Sequence, residues 1–211
     1  MALDHHSIAI RHGRIAAVLP TAEATRRFRG RETIELPQHV LIPGLINAHT
    51  HAAMSLFRGL ADDLPLMDWL QNHIWPAEAK WVSPEFVRDG TQLAIAEMLK
   101  GGTTCFSDMY FFPEATAHAA RDAGMRAVVG LILIDFPTPY AQTPDEYLDK
   151  GLRLRDSLRH DPLIRTAFAP HAPYSVSDGP LARLRTVNHE HNRTLHMHVN
   201  DTADEVDAAQ A

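Results

Sequence analysis

From Val40 onward the sequence alternates short apolar runs with longer amphipathic stretches, and this alternation confines the chain to a parallel α/β architecture. Strand one is expected over residues 40–49, interrupted at Pro43-Gly44. After a loop comes a helix over residues 84–100, stopped by Gly101-Gly102. Strand two runs from Thr103 to about Asp108, helix two covers residues 113–123 and stops at Gly124, and strand three spans residues 126–135. Pro144-Asp145-Glu146 has the composition of a helix first turn, so helix three is expected from there to about Arg159. Strand four follows at residues 164–169, helix four at about 180–191 and strand five at 194–199. Residues 204–211 read as the opening of a fifth helix.

Ahead of this repeat, residues 7–19 read as two short strands around the turn His12-Gly13, and residues 33–36 suggest a third. The expected division is therefore a partial β domain over 1–39 and an α/β domain over 40–211. A closed barrel of eight β/α units typically takes about 250 residues. A chain that ends within its fifth unit is thus expected to be either a smaller open sheet or the N-terminal portion of a TIM-like barrel.

Hydrophobic residues make up 45% and charged residues 22% of the 211, a globular composition rather than a disordered one. Twenty basic against 26 acidic residues give a formal charge of -6, with no basic cluster, which argues against a nucleic-acid partner. The longest apolar runs fall far short of a membrane span, and the N-terminus has no signal-peptide pattern, so the expectation is no membrane partner and a cytoplasmic location. The single cysteine, Cys105, has no disulfide partner and is expected to be a buried strand residue.

Fourteen histidines stand out. Nine of them (His5, His6, His12, His39, His73, His118, His160, His189 and His191) have no ligand-like spacing. His49-Thr50-His51 closes strand one, and residues two apart on a strand project from the same face, so both imidazoles can reach one metal ion. Taken alone, such a pair reads more readily as two histidines flanking a turn. A second pair, His196-Met197-His198, ends strand five, where parallel β/α folds place their functional groups. His198 lies nearer the strand end and is the better ligand candidate, with His196 expected a layer deeper, packed and hydrogen-bonded. Imidazole nitrogens suit Zn²⁺, with Fe²⁺ as the alternative, whereas magnesium and calcium prefer oxygen. An open doubly wound sheet would leave this site short of ligands, which favours the barrel-portion reading. His171, just past strand four, and Asp201, three residues after His198, fall at the same end. Asp201 reads either as a proton-shuttling carboxylate or as a helix N-cap.

The run Leu41-Ile42-Pro43-Gly44-Leu45-Ile46-Asn47-Ala48-His49-Thr50-His51 resembles the strand-one signature of the amidohydrolase superfamily. Gly101-Gly102-Thr103-Thr104-Cys105-Phe106-Ser107-Asp108-Met109 and Ala169-Pro170-His171-Ala172-Pro173-Tyr174-Ser175 are similar to its chlorohydrolase and aminohydrolase branch, nearest the deaminases of 5-methylthioadenosine and S-adenosylhomocysteine. The resemblance implies a distorted β/α barrel with a small β-sandwich domain, and one metal on His49, His51, His198 and a strand-eight aspartate, which would lie beyond Ala211. It implies a small nucleoside substrate and hydrolytic release of ammonia, and it leaves a homo-oligomer open. It places Asp201 on the substrate ring as proton carrier and His171 facing the substrate. In the loop over residues 68–78 it places Trp69 against the substrate and Glu78 on its ribose hydroxyls.

Two departures stand beside the matches. Relatives usually carry glutamate where this chain has Asp201, one methylene shorter, and no arginine between Val128 and Tyr140 matches the one some relatives use on the substrate tail, which favours methylthioadenosine. One cysteine excludes the zinc deaminases of nucleic-acid bases, whose motif includes Pro-Cys-x-x-Cys. Hydrolysis of a triazine or pyrimidine, and an inactive truncated product, are the alternative expectations.

Overall fold

The structure, a computed structural model, describes residues 3–192 and 194–210. The chain divides into two compact units, residues 1–43 and 44–211.

In the first unit, β1 (His6–Arg11) and β2 (Arg14–Pro20) pair antiparallel, as the alternation of residues 7–19 predicts. His12 and Gly13 both take positive φ, 51° and 71°, which a two-residue hairpin turn requires. The third strand expected at residues 33–36 does not form. Ile34 and Leu36 are exposed and, among the described residues, the segment pairs with no strand, so its alternation has no ladder to join. A short helix, α1 (Thr21–Arg27), follows β2 instead, its first N–H donating to the His5 carbonyl at 2.8 Å.

The second unit is an α/β fold around a four-stranded parallel sheet of order β3-β4-β5-β6, comprising β3 (Leu45–Thr50), β4 (Thr103–Asp108), β5 (Arg126–Leu133) and β6 (Ile164–Pro170). Strand one thus begins only at Leu45. Pro43 has no N–H to offer a ladder, and a Cβ at Gly44 would lie 2.2 Å from Thr104 Oγ1. Residues 52–57 form a 3₁₀ turn, and what the sequence reads as a loop over 68–78 is helical. There α2 (Leu66–Trp69) runs through a π-helical turn (Leu70–Ile74) into α3 (Trp75–Trp81). Pro76 explains the wide turn, because it cannot donate to the residue-72 carbonyl and its ring would clash there in a regular helix.

Helices α4 (Pro84–Lys100), α5 (Pro113–Asp122), α6 (Pro144–Ser157) and α7 (Asp178–His191) follow the predicted pattern closely. Each of the first three carries proline in its first turn, and Ser83 and Thr143 cap α4 and α6 by accepting the N–H groups of Phe86 and Glu146, each at 3.2 Å. Gly124, at φ 68°, ends the turn after α5. The core lies between sheet and helices, with Phe106, Val129, Ile164 and Phe168 at 1% exposure or less. Burial of each such side chain contributes roughly 1.5–3 kcal/mol. Cys105 lies on β4 as expected but is only half-buried.

Strand five is reduced to a single bridge, Phe168 with Leu195. The ladder starts normally, with Phe168 N–H donating to the Thr194 carbonyl and His196 N–H to the Phe168 carbonyl, at 3.0 and 2.9 Å. The next donor in a parallel ladder would be residue 170, which is proline, so pairing breaks there and resumes only as His198 N–H to the His171 carbonyl. The last helix, α8 (Ala203–Gln210), forms as expected; Ala211 of that reading lies outside the described residues. No helix among the described residues is long and apolar enough to cross a membrane.

Candidate metal centre

Strand register brings Thr50, Asp108 and Val129 level and Leu133 level with Pro170, so the carboxyl ends of the strands share one edge. His49 and His51 leave that edge from β3, and His198 joins them from the segment tied to β6. One ring nitrogen from each of these three residues lies within 4.8 Å of the others. The Nε2 atoms of His51 and His198 are 3.1 Å apart.

The outer nitrogens are committed elsewhere. His51 Nδ1 meets the Met109 carbonyl, and only an Nδ1–H tautomer can donate to it, which leaves the Nε2 lone pair for a ligand. His49 Nδ1 lies 2.6 Å from His196 Nε2, and His196 Nδ1 lies 3.3 Å from Ser107 Oγ. A chain of single donations, His49 to His196 to Ser107, satisfies all three groups and again frees Nε2 of His49. His196 is thus hydrogen-bonded as expected, though half-buried rather than deeply packed.

Burial is the first cause of the lowered titration of His49, His51, His171 and His196. It lowers His51 to about 4 against the opposing hydrogen bond to Met109, with the neighbouring imidazoles adding to the effect. Burial first, and then His198, His51 and His49, lower His171 to about 3. His171 also stands in the cluster, its ring centroid 5.1 Å from that of His198 and its Nδ1 2.7 Å from Ser175 Oγ.

The carboxylates divide. Asp201 Oδ2 lies 3.5 Å from His198 Nδ1. It is not the cap of α8, a role taken by Thr202, whose hydroxyl accepts the Glu205 N–H at 3.2 Å. Glu78 is buried on α3 and accepts the Tyr110 hydroxyl at 2.8 Å, and the Tyr110 ring lies 6.3 Å from that of His51. Burial, partly offset by Tyr110, pushes the Glu78 carboxyl up to about 7. Trp69 is the one expected site residue that no described contact joins to the histidines; its indole N–H donates to the Ala61 carbonyl at 3.0 Å. Ser107, Asp108, Met109 and Tyr110 were not singled out from sequence. The available signal was a polar pair, Ser107-Asp108, at the carboxyl end of an otherwise apolar strand.

Residues 40–211 match the model of the amidohydrolase family. The chain belongs to the amidohydrolase family. This amidohydrolase is 55% identical over 203 residues to a 5-methylthioadenosine/S-adenosylhomocysteine deaminase of Saccharophagus degradans, covering 96% of this chain and 46% of that protein. It is 50% identical over 208 residues to the protein of the same name from Syntrophobacter fumaroxidans, covering 97% and 46%. The amidohydrolase chain thus spans about half the length of the curated relatives it matches. Among solved structures it is similar to an adenosine deaminase from Xanthomonas campestris with bound zinc, at TM-score 0.95 and 52% identity, covering 98% of this chain and 47% of that one. A guanine deaminase of C. acetobutylicum shares the fold at TM-score 0.83 and 20% identity, over 97% of this chain and 50% of its own.

Proposed function

We propose that His49, His51 and His198 form the histidine part of a zinc centre in a hydrolytic deaminase of an adenine nucleoside, such as 5-methylthioadenosine or S-adenosylhomocysteine. The observation that carries this reading is the convergence of the three rings within 4.8 Å, with the outer nitrogen of His51 tied to a backbone carbonyl. The donor set fits the ion: three imidazole nitrogens, borderline ligands, suit Zn²⁺, and Fe²⁺ next, far better than the hard oxygen-seeking cations. The names of the relatives and the zinc of the similar adenosine deaminase support the same choice.

When bound, the ion supplies the Lewis acidity that makes water a nucleophile near neutral pH. The remaining work falls to side chains. Asp201, through its carboxylate oxygens, takes a proton from the attacking water and returns it to the departing amino group, giving a keto purine and ammonia. His171 presents a neutral ring to the substrate, held by Ser175. Trp69 packs against the nucleoside and Glu78 accepts its ribose hydroxyls. The parallel strand order, continued by the 194–198 segment, supports reading residues 40–211 as part of a (β/α) barrel, with residues 1–39 belonging to a small β-sandwich.

The test is ammonia release by zinc-loaded protein offered 5-methylthioadenosine, S-adenosylhomocysteine, and aminated or chlorinated triazines and pyrimidines. Release from one of the two nucleosides is expected. Turnover of the triazines or pyrimidines alone would overturn the substrate, and a metal-loaded protein inert toward all of them would overturn the activity.

A further inference from the structure

We propose that Asp108 is a positioning residue for the metal centre, holding the turn that follows His51 so that the His51 ring points at the ion; the inference rests on the zinc reading above. Asp108 ends β4 at 1% exposure. Its Oδ1 accepts the Ala52 N–H at 2.7 Å, and its Oδ2 accepts the Thr116 hydroxyl at 3.4 Å. Next to it, Met109 N–H donates to the Thr50 carbonyl at 3.0 Å, and the Met109 carbonyl accepts His51 Nδ1–H. Three consecutive residues, 50 to 52, are therefore fastened to two consecutive residues, 108 and 109.

The arrangement answers a local problem. Ala52 opens the 3₁₀ turn, and the first N–H groups of any helical turn lack internal partners. The side chain of the preceding residue ordinarily reaches only the second or third of them, so the first, here the Ala52 N–H, needs an acceptor from elsewhere. The preceding residue is His51, which makes no side-chain cap because its ring is committed to Met109 and to the cluster. A carboxylate from the neighbouring strand does the capping instead.

Stability alone does not account for an acid at this position. A buried carboxylate without a cationic partner costs several kcal/mol of desolvation, and a well-packed apolar side chain of similar volume is often neutral or better. Burial pushes the Asp108 carboxyl up to about 7 despite its two hydrogen bonds, so the site retains an ionisable group at a cost. What that group does that leucine cannot is accept one N–H beside a metal ligand.

The experiment measures Zn²⁺ affinity by competition with a chromophoric chelator, and the absorption spectrum of the Co²⁺ form, for the 211-residue chain and its variants. Asp108→Leu removes the acceptor, whereas Asp108→Asn keeps an oxygen for Ala52. Val129→Ala, a buried neighbour on β5, controls for lost stability. Affinity about 10–100-fold weaker is expected for Asp108→Leu, with a changed cobalt spectrum, and affinity near that of the parent for Asp108→Asn and Val129→Ala. Should Asp108→Leu not fold, Asp108→Ser, smaller and hydrophilic, is expected to show the same loss. Parent affinity and spectrum in the folded Leu or Ser variant would overturn the inference, as would an Asn variant that falls equally far. A parent chain that takes up no stoichiometric zinc would overturn the metal reading itself.

Discussion

The Nε2 atoms of His51 and His198, 147 residues apart in sequence, lie 3.1 Å from each other. With its Nδ1–H given to the Met109 carbonyl, His51 Nε2 carries a lone pair, which His198 Nε2 meets either with its own N–H or, as a second lone pair, across a shared cation. Replacing His198 by alanine is therefore expected to abolish stoichiometric zinc, weakening affinity by more than the roughly 10–100-fold that loss of an outer partner costs. Metal analysis after gel filtration against a chelator of known affinity reads it. Full zinc retention in His198→Ala would remove this residue from the ligand set.

Asp201 sits 3.5 Å from His198 Nδ1, so it could act on the substrate or simply support its neighbour. As a proton carrier, Asp201→Asn should lower kcat by about 10²–10⁴ with zinc content unchanged. Asp201→Glu keeps the carboxylate on a side chain one methylene longer and should retain activity. If the Asn variant instead loses zinc in parallel with activity, the carboxylate belongs to the support of His198.

Glu78 gives a pH signature. Its carboxyl is held near 7 in the folded protein against about 4.5 when free, mainly by burial. Between those values the folded state binds more protons than the unfolded one, so this residue's contribution to stability is largest below pH 4.5 and is lost as pH rises through 7. Glu78→Gln keeps an acceptor for the Tyr110 hydroxyl but cannot ionise. Its urea midpoint should match that of the parent at pH 4 and exceed it at pH 8. Equal midpoints at both would contradict the assignment.

Gly90 lies in α4 where a Cβ would come 2.4 Å from the Ala53 carbonyl oxygen and 2.9 Å from the Ala53 Cα. Helix propensity alone favours alanine there by about 1 kcal/mol. The clash is with backbone, which cannot swing aside, and overpacking of that kind costs about 1–3 kcal/mol. Gly90→Ala is therefore expected to lower thermal stability, read by calorimetry. A higher melting temperature would mean that α4 moves away from the 52–57 turn at little cost.

Periodicity and local chemistry determine a good deal here without any tertiary information. The α/β class, the helices at residues 84–100 and 113–122 and the hairpin turn at His12-Gly13 follow from runs and stop signals that lie within a few residues of one another. The two His-x-His pairs point to the proposed metal centre because residues two apart on a strand share a face, although of the second pair only His198 joins the cluster. The rest depended on partners remote in sequence. Residues 33–36 look like a strand yet pair with no strand among the described residues, and strand five stops short because Pro170, on the adjacent strand, lacks the next donor. Which nitrogen of His51 faces the site is set by a carbonyl 58 residues away, and which of His196 and His198 joins the cluster is set by the bridge to β6. Sequence thus determines the ligand types and their local spacing, because those are properties of short segments. Tertiary structure alone decides tautomer, direction and distance, because hydrogen bonds to the ends of other strands impose them.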